Sequence, residues 1–274
     1  MKDYLIDMKK LIFMKIGGSI LTDKTSQFSA EMETIKRIAK EIHEIRKEGN
    51  IQIIVGHGGG SFPHVPAKKY RTNEGVINKD SYRGIAEVQD AASRLNRIFV
   101  GELIAAGENA ISVQPSASSI GKNGKIINWY VEPIFEMLKH DLLPVPYGDV
   151  VLDLEKGCMI ASTEEIFDHL SKQLKPDRII IVGKPEGVFT GDPNINPDAE
   201  LIPEISPRNF NEIKKYLGGS HGTDVTGGML DKVEKMLELA EKEGYETQII
   251  GGLTPGNIAK ALKGEKVGTI IRGE

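Results

Sequence analysis

Short apolar runs alternate with longer stretches of helical spacing along most of the chain. "LIFMKI" (11–16) is apolar at nearly every position and runs into Gly17-Gly18-Ser19, which predicts a buried strand entering a glycine turn. Ile35, Ile38, Ala39, Ile42 and Ile45 then recur at the spacing of one helix face, predicting a helix over 29–48. Ser29 suits its N-cap, Glu31 and Glu33 its positive end, and Gly49 its stop. "IQIIV" (51–55) predicts a second strand, and it too runs into glycines, in "GHGGGS".

The middle third predicts a helix over 80–106 that stops at Gly107, a strand at Ala110–Val113, and a hairpin at Asn123-Gly124. A helix follows over 132–140, then strand, turn and strand in "LPVPYGDVVLDL", then a turn at 155–157 into "CMIA". Ser162-Thr163-Glu164-Glu165 is arranged as a capping box opening a helix to Leu174. Beyond Pro176, "RIIIV" predicts a strand and a Pro/Gly/Asn/Asp-rich loop reaches to about residue 203. Helices near 209–217 and 230–243 flank "GGSHGTDVTGGM". "TQII" predicts a strand, Pro255 can open another helix, and "VGTII" closes the sheet. Strands alternating with helices imply an α/β fold, with a largely parallel sheet covered on both faces. The expected organisation is an N-terminal lobe over 1–175 and a C-terminal lobe over 176–274, sharing one continuous sheet.

The 274 residues suit one large α/β domain or two lobes, long enough to bury roughly three quarters of the unfolded surface. Hydrophobic residues make up 39% and charged residues 27%, as in a soluble globular chain, and the net charge of −4 implies no basic face for nucleic acid. The single cysteine, Cys158, excludes an intrachain disulfide and a cysteine-based zinc site and fits a reducing cytoplasm. "MKDYLIDMKK" is charged and lacks an apolar centre, so it reads as a short extension and not a signal peptide. No run is long enough to span a membrane.

Candidate chemistry gathers at the glycines. Ligands of open parallel sheets bind beyond the carboxyl ends of strands. Gly17-Gly18-Ser19, Gly58-Gly59-Gly60-Ser61 and Gly227-Gly228 occupy, or can occupy, that edge. Glycine lets backbone N–H groups approach phosphate oxygens, and a following helix N-terminus adds positive charge. Any one cluster alone reads first as a tight turn. Neither G-x-x-x-x-G-K-[ST] nor G-x-G-x-x-G with its distant acid is present, which leaves out P-loop ATPases and Rossmann dehydrogenases. Lys15, inside the first strand among apolar neighbours, needs an anionic partner if buried. Lys24 follows the first turn and Lys232 follows Gly227-Gly228; each reads as a solvated lysine or as a phosphate ligand. Backbone cradles with a few cations are what phosphoryl transfer requires.

"KIGGSILTDK" (15–24), "HGGGSFPH" (57–64), "AISVQPSA" (110–117), "PVPYGDVVLD" (144–153) and "DVTGGMLDK" (224–232) together resemble the amino-acid kinase superfamily. Within it they are most similar to the isopentenyl phosphate kinase branch, with fosfomycin kinases as near neighbours. The resemblance implies an open three-layer αβα sandwich with a mainly parallel sheet, usually a homodimer in the cytoplasm. It implies an N-lobe that binds the phosphoryl acceptor, a C-lobe that binds ATP with Mg2+, and transfer of a phosphoryl group to isopentenyl phosphate in isoprenoid biosynthesis. By motif position, Lys15 and Lys24 would hold phosphates near the transferring group. Gly17, Gly18, Gly58, Gly59 and Gly60, with Ser61, would line the acceptor site. His64 would hydrogen-bond the acceptor's phosphate, where otherwise it is a helix-end or surface histidine. Asp224, Gly227, Gly228 and Lys232 would belong to the nucleotide side. His57 is expected to satisfy local backbone groups.

Three departures fall on these motifs. Pro63 stands where relatives carry glycine and removes one N–H. Ser162-Thr163-Glu164 stands where they carry Ser-Gly-Asp, so Glu164 is either a longer-armed orienter of the catalytic lysines or part of a helix cap. Gly183-Lys184-Pro185-Glu186-Gly187 replaces an acidic nucleotide-side segment, which places Lys184 on an ATP phosphate or weakens nucleotide binding.

Overall fold

The computed structural model describes residues 9–23, 26, 28–193, 195–217 and 229–273, except the side chain of Asp231. Lys24, Asp224, Gly227, Gly228 and the N-terminal extension to residue 8 lie outside the described residues. The chain divides into two compact units, 1–176 and 177–274.

The first unit opens with β1 (Lys10–Ile16), a short helix α1 (Gly18–Leu21), α2 (Met32–Arg46) and β2 (Ile51–His57). The strands are parallel, with Lys15 opposite Gly56 and Ile16 opposite His57, so their glycine turns leave the same edge side by side. Ile12, Phe13, Met14 and Ile16 are all buried, as expected of an interior parallel strand. Ile35, Ile38, Ala39 and Ile42 of α2 are fully buried too. Each large side chain so buried stabilises the fold by roughly 1.5–3 kcal/mol.

Helix α3 (Ser61–Tyr70) follows the second glycine turn and leads to α4 (Asp80–Ala105), β3 (Ala110–Val113), β4 (Ser119–Lys122) and β5 (Lys125–Trp129). The β4–β5 hairpin turns at Asn123 and Gly124, both at positive φ, the two-residue turn their sequence demands. Next come α5 (Glu132–Lys139), β6 (Leu143–Pro146), β7 (Asp149–Asp153), β8 (Gly157–Ala161) and α6 (Thr163–Leu174). β3 pairs parallel with β6, and β7 pairs antiparallel with β8.

Asp153 joins two turns. Its carboxylate accepts N–H bonds from Asn123 (3.1 Å), Gly124 (2.8 Å), Glu155 (2.9 Å) and Lys156 (2.9 Å). Burial alone would raise its pKa, but the four amides outweigh that and hold it down at about 2.

The second unit comprises β9 (Arg178–Gly183), β10 (Val188–Phe189), β11 (Leu201–Ile202), β12 (Glu204–Ile205), α7 (Phe210–Leu217), α8 (Met229–Glu243), β13 (Glu246–Gly251), α9 (Asn257–Lys263) and β14 (Thr269–Ile271). β9 and β13 are parallel, β12 and β14 are parallel, and β13 and β14 are antiparallel. Val188, Ile205, Ile213, Val233, Leu237 and Ile271 are among the residues of its core.

Several details differ from the sequence reading. Ser29 does not cap α2: the helix starts at Met32 behind Glu31, and the Ser29 carbonyl accepts from the Asp23 N–H at 3.1 Å, closing the preceding loop. Helix α3 lies beyond what the sequence reading assigned, and it contains Pro63 and Pro66. Pro63 is its third residue, where no intrahelical donor is needed, whereas Pro66 gives up one bond. The loop after β9 contains the antiparallel β10–β11 ribbon. Pro255 precedes α9, whose cap is Gly256 at positive φ.

Candidate active site

Lys15 is the penultimate residue of β1, and its side chain is only 13% exposed. Its ammonium is ion-paired with the carboxylate of Glu164, in the first turn of α6. This is the anionic partner that a lysine among apolar neighbours requires. The positive end of the helix also favours a carboxylate there. The cap reading and the pairing reading of this segment are both realised, by different residues. Ser162 Oγ accepts from the Glu165 N–H at 3.2 Å, Glu165 accepts from the Ile126 N–H at 2.9 Å, and Glu164 is left to Lys15.

Thr163 stands where glycine was expected, yet its side chain is buried and its Oγ1 donates to the His57 carbonyl at 2.8 Å. The same carbonyl accepts from the Gly148 N–H at 3.0 Å. The end of β2 is thereby tied to both α6 and the β6–β7 corner.

The two glycine turns interlock backbone to backbone. A Cβ on Gly18 would lie 2.2 Å from Gly60 N, so only glycine fits there. Gly60 has φ 55 and ψ −141, a conformation that side chains disfavour. Thr22 fastens the pair: its Oγ1 donates to the Gly18 carbonyl and accepts from the Ser61 N–H, both at 2.9 Å.

These contacts sort the expected donors. The Gly58 N–H is bonded to the Ile16 carbonyl at 3.0 Å, continuing the ladder between β1 and β2. The Ser61 N–H is taken by Thr22. In this arrangement neither amide is open to an anion, because each completes a bond that holds the loops together. Gly17, Gly18, Gly59 and Gly60 have N–H groups that make no hydrogen bond among the described residues. Ser61 Oγ is buried and likewise lacks a partner among them.

His57 is fully buried, stacked on Tyr147 (centroids 5.7 Å) and edge-on to Phe99 (5.4 Å). Nδ1 lies 3.1 Å from the Gly58 carbonyl, the local backbone role expected of it. Burial lowers its pKa to about 4, with the Gly58 contact opposing, so the ring is neutral at physiological pH. His64 lies in the first turn of α3 and is exposed.

Two quoted motifs meet at Asp149. It accepts from the Ser116 N–H of "QPSA" at 3.0 Å and from the Val150 N–H at 2.8 Å. Burial pushes this carboxyl up, and the Ser116 and Val150 bonds oppose it.

In the second unit, Gly183 and Gly251 are register partners at the ends of β9 and β13. Glu186 of the altered segment lies over Gly251, accepting from Thr254 Oγ1 at 2.6 Å and from Asn257 Nδ2 at 2.7 Å. The substituted loop is therefore a built structure. Lys184 beside it is exposed and has no ion-pair partner among the described residues. Lys232 is in the first turns of α8.

Sequence reasoning missed Thr22 and Asn96. Thr22 carries no signal, since its role depends on two loops meeting. Asn96 does carry one: it lies between Ala92 and Phe99 on the buried face of α4, a polar residue in an apolar stripe.

A family model described as the amino acid kinase family matches residues 10–251. A protein of Methanothermobacter thermautotrophicus called isopentenyl phosphate kinase is 37% identical over 272 residues, covering 96% of this chain and 100% of that protein. One of the same name from Methanocaldococcus jannaschii is 36% identical, covering 95% of this chain and 98% of its own. A solved structure titled "X-ray structures of isopentenyl phosphate kinase" superposes with a TM-score of 0.80 at 32% identity, covering 95% of this chain and 99% of the other. The product complex of the Thermoplasma acidophilum isopentenyl phosphate kinase superposes with a TM-score of 0.75 at 26% identity, covering 96% and 100%.

Proposed function

This chain belongs to the amino acid kinase family, and on that premise we propose that it transfers the γ-phosphoryl group of ATP to isopentenyl phosphate, giving isopentenyl diphosphate for isoprenoid biosynthesis. The observation that carries the reading is Lys15, held by Glu164 beside two interlocked glycine turns whose Gly17, Gly18, Gly59 and Gly60 N–H groups make no hydrogen bond among the described residues. Such an arrangement suits a transferring phosphoryl group, which needs fixed donors and charge neutralisation more than covalent help.

The acceptor is itself a phosphate monoester, ionised at neutral pH, so no strong general base is required and positioning dominates. In this reading Gly17, Gly18, Gly59 and Gly60 donate N–H bonds, Lys15 and Lys24 neutralise charge, and His64 contacts the acceptor phosphate. Lys184, Asp224, Gly227, Gly228 and Lys232 serve ATP. Among the described residues no cluster of His, Cys, Asp or Glu has the makings of a metal site. In this reading Mg2+ accompanies ATP, coordinated by its phosphate oxygens. The reading extends to a cytoplasmic homodimer, and light scattering on the purified chain checks the dimer.

The test is incubation of the purified protein with ATP, Mg2+ and isopentenyl phosphate, with the product weighed by mass spectrometry. Isopentenyl diphosphate is the expected product. Its absence, together with no ATP binding by calorimetry, overturns the reading.

A further inference from the structure

Behind the second glycine turn lies a buried chain of hydrogen bonds that the phosphate contacts alone do not require. Ser112 Oγ donates to Asn96 Oδ1 at 2.5 Å. Asn96 Nδ2 lies 3.1 Å from His57 Nε2 and 3.3 Å from the Val145 carbonyl. His57 Nδ1 lies 3.1 Å from the Gly58 carbonyl. Asn96 and His57 are both fully buried.

The chain runs one way. The Gly58 carbonyl only accepts, so Nδ1 carries the proton of the neutral ring. Nε2 is then bare and accepts from the Asn96 amide. Ser112 and Val145 fix which end of that amide faces His57. In a trans peptide the C=O and the next N–H point in opposite directions. Drawing the Gly58 carbonyl toward His57 therefore turns the Gly59 N–H away from the core. Gly58 is pinned from its other side by its own N–H bond to Ile16, so this peptide has little freedom left.

We propose that Ser112, Asn96 and His57 form a positioning chain that aims the Gly59 N–H at the acceptor's phosphate. The proposal rests on the kinase reading and gives these three residues a positioning role. His57 acts as a neutral donor held in one tautomer, with no proton transfer. Among the described residues, Asn96 of α4 hydrogen-bonds its ring and Phe99 of α4 and Tyr147 pack against it. Among them Tyr147 alone titrates, and burial pushes its phenol up, so it stays uncharged.

Three variants and one direct observation test this. His57→Leu fills the volume and removes the donor; His57→Asn restores a donor at the Nδ1 position. The expected result is a kcat loss of at least tenfold in His57→Leu with KM for ATP within twofold, and recovery to within about threefold in His57→Asn. Asn96→Asp cannot donate to Nε2, so it draws the ring proton there and leaves Nδ1 bare against the Gly58 carbonyl. Protonating the ring restores the Nδ1 donor. The ratio of Asn96→Asp to wild-type kcat should thus rise at least threefold from pH 8.5 to 6. The ring nitrogens of wild-type His57, read by 15N NMR, should show Nδ1 protonated and Nε2 bare. The opposite tautomer, a His57→Leu enzyme of normal kcat, or a flat Asn96→Asp ratio each overturns the proposal. If His57→Leu does not fold, the tautomer and the pH ratio decide. A wild-type protein with the expected tautomer but no turnover of isopentenyl phosphate would defeat the kinase reading instead.

Discussion

Lys15 and Glu164, separated by 149 positions in the sequence, form an ion pair where the end of β1 meets the first turn of α6. The pair fixes a cation at the edge where both glycine turns emerge. Glu164 thus reaches the lysine that a shorter aspartate is expected to serve in relatives, while Ser162 caps the helix independently.

Removing the lysine removes the fixed charge. Lys15→Ala should lower kcat by roughly 10²- to 10³-fold, as loss of a preorganised electrostatic contact does. Glu164→Gln keeps the shape but frees the ammonium, and about a tenfold loss is expected. Steady-state kinetics checks both; a Glu164→Gln enzyme of unchanged kcat would show that the pairing has no catalytic consequence.

Gly148 offers a steric test. A Cβ there would lie 3.8 Å from Gly59 N and 3.8 Å from Thr163 Oγ1, ordinary contact distances for the fold. Gly148→Ala should therefore keep its melting temperature to within a few degrees. Its methyl, however, fills space beside an amide assigned to the acceptor. KM for isopentenyl phosphate should rise about tenfold. An unchanged KM would move the acceptor away from Gly59.

Lys184→Ala tests the altered loop of the second unit. An exposed lysine beside a loop already anchored by Glu186 is available to an ATP phosphate. ATP affinity by calorimetry should fall roughly twofold to fivefold, the worth of one solvent-exposed charged contact. Unchanged or tighter binding contradicts that role.

Acid should destabilise the first unit in two stages. His57 has a folded pKa of about 4, below its ordinary 6.5, so stability is full above pH 6.5 and declines as pH falls to 4. Asp153 has a folded pKa of about 2, below its ordinary 3.8, so its contribution is complete above pH 3.8 and declines toward pH 2. Melting temperatures from pH 8 to 2 check this. Asp153→Asn should be less stable at pH 7 by about 1–2 kcal/mol and lose the lower stage.

The strands and most helices were legible because apolar runs of about five residues and 3.6-residue periodicity are local signals. Asn123-Gly124 fixed its hairpin for the same reason. Helix α3 carried no clear apolar periodicity; Pro63 at its third position spares the ladder and Pro66 gives up one bond. The site was legible where chemistry is costly to hide. A lysine inside an apolar strand demanded a partner, and Glu164 is that partner. Which amides are spent was not legible: Gly58 and Ser61 lose theirs to Ile16 and Thr22 through the meeting of two loops distant in sequence. Thr163 likewise read as an intrusion, yet its hydroxyl binds the end of β2.

Phosphoryl transfer to isopentenyl phosphate is the central claim, and 31P NMR of the purified protein with Mg2+, ATP and isopentenyl phosphate tests it most directly. The account predicts loss of the monoester resonance and growth of a diphosphate pair in step with ADP. A monoester signal that persists while the protein is folded and ATP is present would contradict it.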